Sequence, residues 1–222
     1  MKTPAEFVEA LAALRFPNVF NPYAEQCSFC DLADAAALRR RNLELVIAAA
    51  IDSGVDTMWI ARDLGYRGGR RTGLALTDEL HLSAHAALMC TAPLHRATKG
   101  AALGERTATV IWSILEAIGR PVFLWNVFPL HPHEKGDPMS NRAHTRSEAA
   151  ECRFLLDWLM ERLAPKRVIA IGRDAQLALA SLGDSVPVRH PSYGGQTEFV
   201  TAMQSYYGLP HPKSLNPQLA FF

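Results

Sequence analysis

TMWIARDLGYRGG, residues 57–69, is the stretch that decides the fold class. Its first five residues form an apolar run as long as a short buried strand, and the glycine-rich RDLGYRGGRRTG that follows excludes a regular element. Similar apolar runs recur at 121–128, 167–172 and 186–190, with segments of helical periodicity between them. Strands that alternate with helices predict an α/β protein, with a parallel sheet covered by helices on both faces.

The same periodicity predicts the positions of the helices and the extent of the domain. We expect helices at 4–14, 33–53, 78–90, 104–118, 145–163, 174–182 and 195–207. The polar segment 129–145 is a long loop, and loops of this length are often functional. We therefore expect a single domain over 1–207, followed by a C-terminal tail, 208–222, that ends in two aromatic residues.

Composition excludes several classes of protein. The net charge is +1, and 49% of the residues are hydrophobic, as in an ordinary globular domain. No apolar run reaches the ~20 residues that span a bilayer. The acidic, amphipathic N-terminus lacks the basic start and apolar block of a signal peptide. These features predict a cytoplasmic protein that does not bind membranes.

Cysteines and histidines give weak signals for a metal. Four cysteines in a chain without an export signal predict free thiols, and Cys27 and Cys30 form a C-x-x-C that would need two more ligands to hold a metal or cluster. HPH at 131–133 lacks partners at familiar zinc-site spacing. Neither GYRGG nor IGRDA is a nucleotide-binding motif. We expect neither a metal nor a nucleotide cofactor.

Polar residues end three of the predicted strands. Because ligands bind at the carboxyl ends of parallel strands, Asp63, Asn126 and His190 are expected to converge. A carboxylate there can orient a water, an amide can pair with the edge of a base, and a histidine can stabilise an oxygen that gains negative charge. The alternative is structural: a turn-capping Asp, a turn Asn and a hydrogen-bonded His.

Arginines crowd the loop after the first strand of the predicted sheet. Arg62, Arg67, Arg70 and Arg71 flank a Gly-Gly pair and form a candidate phosphate-binding patch, although the net charge is close to zero. Solvated surface arginine is the alternative, and we favour it for the consecutive arginines at 39–41.

Taken together, these stretches resemble the uracil-DNA glycosylase superfamily. IARDLGYRGGRRTGLALTDE (60–79) is similar to its first motif, FLWNVFPLHPHE (123–134) to the strand with the base-reading Asn, and HPSYGG (190–195) to its second motif. The match covers residues 21 to 200 and lies between the family-1 and iron–sulfur family-4 patterns. The resemblance implies a three-layer α/β/α sandwich around a four-stranded parallel sheet, and DNA as the partner.

The resemblance also implies roles for individual residues. Asp63 falls on the catalytic Asp that assists the water, Asn126 on the Asn that reads the uracil edge, and His190 on the His that stabilises the departing uracil anion. Leu76 falls where the family usually stacks a Phe on the base. The remaining base-binding candidates are Ala61, Arg62, Gly65 and Tyr66, and the DNA-binding candidates are Arg67, Arg70, Arg71, Ser192, Tyr193 and Gly194.

Several departures from the family pattern bear on specificity and cofactor. Gly65 replaces the Tyr that bars 5-methyl pyrimidines in family 1, so the sequence predicts a pocket that is more open at C5. Cys27, Cys30 and Cys152 match three of four family-4 cluster ligands, but Leu130 stands at the fourth position. Three thiolates rarely secure a [4Fe–4S] cluster, so no cluster is expected.

Three hypotheses about function remain at the level of sequence. The first is a monofunctional DNA glycosylase that flips out and hydrolytically excises uracil or a related damaged base. The second, motivated by the altered motif ARDL at 61–64, is a member that binds nucleic acid or lesions without excision. The third is an α/β hydrolase of nucleosides or other small molecules, for which free deoxyuridine would be a substrate.

Overall fold

The structure is a computed structural model that describes residues 1–180 and 183–210. The helices are α1 (Pro4–Ala13), α2 (Ala35–Ser53), α3 (Gly69–Thr72), α4 (Leu82–Met89), α5 (Arg106–Ile118), α6 (Arg146–Leu163), α7 (Arg173–Leu179) and α8 (Gln196–Tyr207). The strands are β1 (Val19–Phe20), β2 (Thr57–Asp63), β3 (Phe123–Phe128), β4 (His131–Pro132), β5 (Arg167–Ile171) and β6 (Val186–Val188).

The central sheet contains four parallel strands in the order β3-β2-β5-β6. Trp59 of β2 lies opposite Leu124 of β3 on one side and Ile169 of β5 on the other. After β2 the chain passes to one side of that strand to form β3 and later returns to its other side to form β5. The order of strands therefore reverses between β2 and β5, which is where open α/β sheets bind their ligands.

Helices cover both faces of the sheet, which confirms the predicted three-layer α/β/α sandwich. Side chains alternate along β2, so Ile60 packs on one face with α1, α2 and α6, and Trp59 packs on the other with α5 and α8. Burial on both faces explains why the strands read as continuous apolar runs.

Local sequence signals fix the beginnings of two helices. The Thr3 hydroxyl accepts the Glu6 N–H at 3.2 Å at the start of α1. At α6, Thr145 and Glu148 form a reciprocal capping box, and the Glu148 carboxylate also binds Arg142. These caps satisfy backbone N–H groups that have no partner within the helix.

The structure corrects some of the predicted boundaries. The stretch 62–73 contains the short helix α3, closed by a bond from the Gly73 N–H to the Gly69 carbonyl, although its glycines predicted no regular element. Helix α4 begins at Leu82 rather than at 78, because the Asp78 carboxylate accepts the N–H groups of Leu80 and His81 and holds a turn there.

Other predictions fall partly outside the described residues. The helix predicted at 174–182 is α7, and residues 181–182 of that prediction lie outside the described ranges, as does most of the predicted tail, 211–222. The segment 129–145, predicted as a loop, contains β4, which pairs with β1. No helix within the described ranges combines the length and apolarity needed to cross a membrane.

Candidate active site

A cavity of about 350 Å³ opens at the carboxyl ends of β2 and β5. Its position is the point where the strand order reverses, and its volume lies at the small end of the range for ligand pockets. The lining residues are Ala61, Arg62, Asp63, Leu64, Gly65, Gly69, Leu76, Glu105, Thr107, Asn141, Ile171, Gly172, Arg173, Asp174, His190, Ser192 and Tyr193. Predicted residues from two stretches that are far apart in the sequence, 60–79 and 190–195, therefore meet in one cavity.

Asp63 ends β2, and its carboxylate is held from two sides. Arg62 Nε lies 2.9 Å from Asp63 Oδ2, and the backbone N–H of His144 donates to the same oxygen at 3.3 Å. The Nδ1 of His144 lies 3.4 Å from that oxygen, and Arg62 also reaches Asp174 at 3.4 Å. The second Asp63 oxygen has no hydrogen bond to the described residues.

His190 follows β6 and packs against the end of β5. Gly172 has a φ of +87°, and a Cβ there would lie 3.2 Å from the His190 Cβ, so both its conformation and the close approach favour glycine. The Ser192 N–H donates to His190 Nδ1 at 3.2 Å, and the Ser192 hydroxyl lies 2.7 Å from the same nitrogen. The backbone donor makes Nδ1 an acceptor, which leaves the proton of the neutral ring on Nε2.

The His190 ring is uncharged at neutral pH. Burial lowers its pKa to about 4; the nearby Arg62 acts in the same direction and Asp63 opposes it. A neutral imidazole with its proton on Nε2 is a hydrogen-bond donor that carries no charge of its own. Such a group can donate its Nε2 proton in a hydrogen bond to an anion that forms in the cavity, and this hydrogen bond stabilises the anion.

Glu105 is a cavity residue that the sequence analysis missed. It precedes α5, where its N–H donates to Asp78 Oδ2 at 2.6 Å. A Cβ at Gly65 would lie 2.8 Å from Glu105 Oε1, and a Cβ at Gly68 would lie 2.0 Å from Oε2. The carboxyl group therefore occupies the space that the glycine at 65 was expected to leave open. Burial and, less strongly, Asp78 raise the pKa of Glu105 to about 7, whereas Arg67 lowers it.

The predicted base-binding residues divide into two groups. Ala61, Gly65, Arg62 and Leu76 line the cavity, and Leu76 holds a φ of +54°. Asn126 and Tyr66 do not line it. Asn126 lies on β3 opposite Ala61 of β2 and is 1% exposed. Its Oδ1 has no hydrogen bond in the described structure.

The surface around the cavity carries part of the predicted DNA-binding set. Tyr193 is 98% exposed at the rim, next to Ser192 and Gly194, and Arg67 is exposed with its guanidinium over the Tyr66 ring. Arg173 and Arg189, which the sequence analysis did not select, line a second depression that shares His190 and Ser192 with the cavity.

Arg70 and Arg71 correct the prediction of a four-arginine surface patch, because both are buried. Arg70 is 2% exposed and stacks over the Phe20 ring at 4.0 Å. Arg71 is 4% exposed and binds Glu79 at 3.0 Å and Thr98 at 2.9 Å. Helix α3 turns these side chains inward, so in this structure neither can meet a phosphate at the surface.

The cysteines do not fit a four-thiolate cluster. Burial favours the neutral Cys27 thiol, but the neighbouring Arg70 and Cys30 outweigh it and lower the pKa of Cys27. Cys152 lies in the apolar core with Leu130, and burial raises its pKa to about 12. In the described part of the chain, no group of three His, Cys, Asp or Glu side chains is placed to hold a metal ion. The absence of a cofactor stays a prediction.

Sequence signals existed for some of the missed residues. Arg173 and Asp174 lie just beyond Gly172, which follows the last residue of β5, so the strand-end rule that selected Asp63 applies to them too. Glu105 and Asn141 had no such signal, because each enters the cavity from a loop far away in the sequence.

The fold and the site together place the protein in a class: it is a three-layer α/β/α sandwich with a small polar cavity at the switch point of its sheet, lined by a carboxylate and a neutral histidine. The family model described as the uracil DNA glycosylase superfamily matches residues 78–220, and the chain belongs to this superfamily.

A solved structure shares the fold. The crystal structure of wild-type Pedobacter heparinus SMUG2 superposes with a TM-score of 0.61 at 14% sequence identity, over 94% of this chain and 98% of that chain. At this identity the likeness concerns the fold alone. A comparison with curated proteins finds no match.

Proposed function

We propose that this protein is a monofunctional DNA glycosylase that excises uracil or a related damaged base. One observation carries the proposal: a neutral His190, with Nδ1 engaged by Ser192, lines the same small cavity as the Asp63 carboxylate. Loss of a base from a sugar creates a negative charge on the base and a positive charge on the sugar. A neutral donor and a carboxylate stabilise these two charges respectively.

The residues supply the following steps. The bond between the base nitrogen and C1′ breaks, and its electron pair delocalises onto a carbonyl oxygen of the base, which accepts a hydrogen bond from His190 Nε2. The Asp63 carboxylate stabilises the cationic sugar and orients a water, whose oxygen bonds to C1′ while its proton passes to the carboxylate. The base leaves as an anion and takes up a proton from solvent, Asp63 returns its proton to solvent, and the products are the free base and an abasic site.

The rim of the cavity supports binding of the DNA strand. Arg67, Arg173 and Arg189 are exposed, and two of them border the depression next to His190. Guanidinium groups bind phosphates, and the exposed Tyr193 ring offers a surface on which a base can stack after its neighbour is flipped. Asn126 stays the predicted reader of the base edge, and its unpartnered Oδ1 would accept an N–H.

A specific contact favours a second candidate, which is lesion binding without excision. Arg62 occupies one oxygen of Asp63 at 2.9 Å, and its guanidinium lies beside the place where a cationic sugar would form. If Arg62 stays there when DNA binds, the positive charge opposes the transition state. The protein would then bind the lesion and leave the glycosidic bond intact.

Single-turnover excision on a labelled oligonucleotide tests the proposal. One uracil is placed in a single strand, opposite guanine or opposite adenine, and abasic sites are cleaved with alkali. We expect product with the wild-type protein and a loss of about 10²-fold or more with His190→Ala and with Asp63→Asn. His95→Ala and Asp52→Asn, at exposed positions outside the cavity, are the matched controls.

The outcomes separate the candidates. Full activity in Asp63→Asn would rule out the proposed mechanism. Tight, salt-sensitive binding without product would favour lesion binding. Turnover of free deoxyuridine that DNA does not inhibit would favour a small-molecule hydrolase.

A further inference from the structure

Glu105 enters the cavity on a rigid support. Its backbone N–H is fixed by Asp78 Oδ2 at 2.6 Å, and Asp78 is in turn held through its other oxygen by His81 Nδ1 at 2.6 Å. The side chain then crosses the backbone at Gly65 and Gly68, where any Cβ would collide with its carboxyl oxygens. The carboxyl group is thereby positioned from both ends in a cavity wall, rather than extending freely into solvent.

This carboxyl group has unused hydrogen-bonding capacity. Neither of its oxygens forms a hydrogen bond with any described residue, whereas the carboxylates of Asp78 and Glu79 nearby are fully engaged. A polar group that lines a cavity and has no protein partner is suited to a ligand partner.

The charges around Glu105 come from three parts of the chain. Asp78 approaches from the segment before α4, Arg67 from the loop after β2, and Arg106 lies next to it on α5. Burial and Asp78 favour the neutral acid, and Arg67 favours the carboxylate, so the pKa of about 7 leaves both forms accessible near neutral pH. The cavity also contains Arg62, Asp63, Arg173, Asp174 and His190.

We propose that Glu105 is a specificity-determining residue that, as the neutral acid, donates its O–H to an exocyclic keto oxygen of the base in the cavity. The inference rests on the proposed function, because it requires a base to occupy this cavity. A keto oxygen accepts that hydrogen bond, whereas an amino group in the same place meets another donor. The ionised carboxylate reverses this preference. Glu105 therefore selects keto bases over amino bases, and the selection weakens as pH rises.

Binding of free bases tests this without requiring excision. Uracil is the keto probe and cytosine the amino probe, titrated calorimetrically between pH 6 and pH 8. For the wild-type protein, uracil affinity should fall by up to tenfold per pH unit above about pH 7. Glu105→Gln keeps a donor that does not titrate, so its uracil affinity should be independent of pH. Glu105→Ala should bind about tenfold more weakly at low pH, as expected for one lost hydrogen bond.

Glu116→Gln is the matched control, since Glu116 lies exposed on the same helix, and it should retain the wild-type pH profile. The histidine that lines the cavity does not confound this window, because the pKa of His190 is about 4. Thermal unfolding of each variant shows whether the fold is intact, and the isosteric Gln variant separates a lost proton from a lost side chain.

The results distinguish failure of this inference from failure of the proposed function. A wild-type uracil affinity and excision rate that do not change with pH, and are equal in Glu105→Gln, would overturn the role of Glu105 while leaving the glycosylase intact. A pH-dependent uracil affinity that Glu105→Gln abolishes, without excision of any base, would support the role and overturn the activity. Absence of binding to either base at every pH would overturn the inference.

Discussion

His190 can donate to a base only if its proton lies on Nε2, and Ser192 determines this placement. Two groups of the serine contact Nδ1: the N–H at 3.2 Å, which can only donate, and the hydroxyl at 2.7 Å. Because Ser192 lies only two residues after His190, the contact is local. The HPS triplet therefore sets the tautomer of its own histidine. The carboxyl ends of β5 and β6 then aim the ring at the cavity.

Ser192→Ala tests how much the Ser192 hydroxyl adds to the backbone N–H in holding the His190 ring. The backbone N–H remains in the variant, so the ring keeps its tautomer and loses only one hydrogen bond. We expect a fall of about tenfold in the single-turnover excision rate, smaller than the loss of about 10²-fold or more in His190→Ala. DNA affinity, measured by fluorescence anisotropy, should change little. Equal losses in the two variants would contradict the assignment.

Glu105 and Gly65 show how a residue from one loop can replace a side chain missing from another. The sequence predicts open space at Gly65, because glycine has no side chain to exclude a substituent. In the structure the Glu105 carboxyl group lies 2.8 Å from the position of the missing Cβ. The pocket is therefore filled there by a titratable group, and its shape cannot be inferred from the glycine alone.

Among the secondary-structure elements, helix α3 buries Arg70 and Arg71, which the sequence predicted to contact DNA. The buried Arg71 acts as a brace between loops. Arg71 links α3 to Glu79 and Thr98, and Glu79 also receives the Leu103 N–H. These contacts join three loops around the cavity. Glycines in the loop allow the tight path of the chain that buries both guanidinium groups.

Arg71→Met tests this brace. Removing one partner of a buried ion pair leaves an uncompensated charge, so we expect the free energy of unfolding in urea to fall by about 3 kcal/mol. Arg96 Nε, 3.7 Å from Glu79, limits the loss. Arg41→Met is the exposed control and should change stability by less than about 0.5 kcal/mol. A variant of unchanged stability with a weaker salt dependence of DNA binding would instead restore the phosphate-binding role.

At the scale of the whole molecule, buried titratable groups predict how stability depends on pH. Burial lowers the pKa of His85 to about 3 and, as the largest contribution, those of His131 and His190 to about 4, from 6.5. The unfolded chain therefore binds protons at these three sites between pH 5 and 6.5, and the native state does not. Glu105 acts in the opposite sense, because its pKa rises from 4.5 to about 7 and the native state binds that proton.

The net effect is a loss of stability as pH falls below about 6.5. Three protons taken up on unfolding, less one released from Glu105, give an uptake of about two protons near pH 5, and the uptake falls to about one at pH 6.5, where each unfolded histidine is half protonated. Urea unfolding at a series of pH values measures it from the slope. His85→Gln should reduce the uptake to about one proton, and Glu105→Gln should raise it to about three. A stability that is flat between pH 5 and 6.5 would contradict the burial of these neutral histidines.

The layers, the four strands of the central sheet and part of the cavity follow from the sequence alone. Apolar runs become sheet strands because burial on both faces demands them, and the strand-end rule brought Asp63 and His190 to one edge. These are consequences of local periodicity and of chain topology, which a linear sequence records. The same is true of the helix caps at Thr3 and Thr145.

Which polar side chains face the cavity and which are buried depends on the folded chain and could not be predicted from the sequence. The sequence predicted Arg70 and Arg71 at the surface, but α3 directs their side chains inward. No sequence pattern indicated Glu105, which precedes α5 and lies against the glycines of a loop distant in the sequence. Burial, charge neighbours and unfilled hydrogen-bond capacity depend on residues far apart in sequence. Those quantities set the pKa of a side chain and its access to a ligand, and they exist only once the chain has folded.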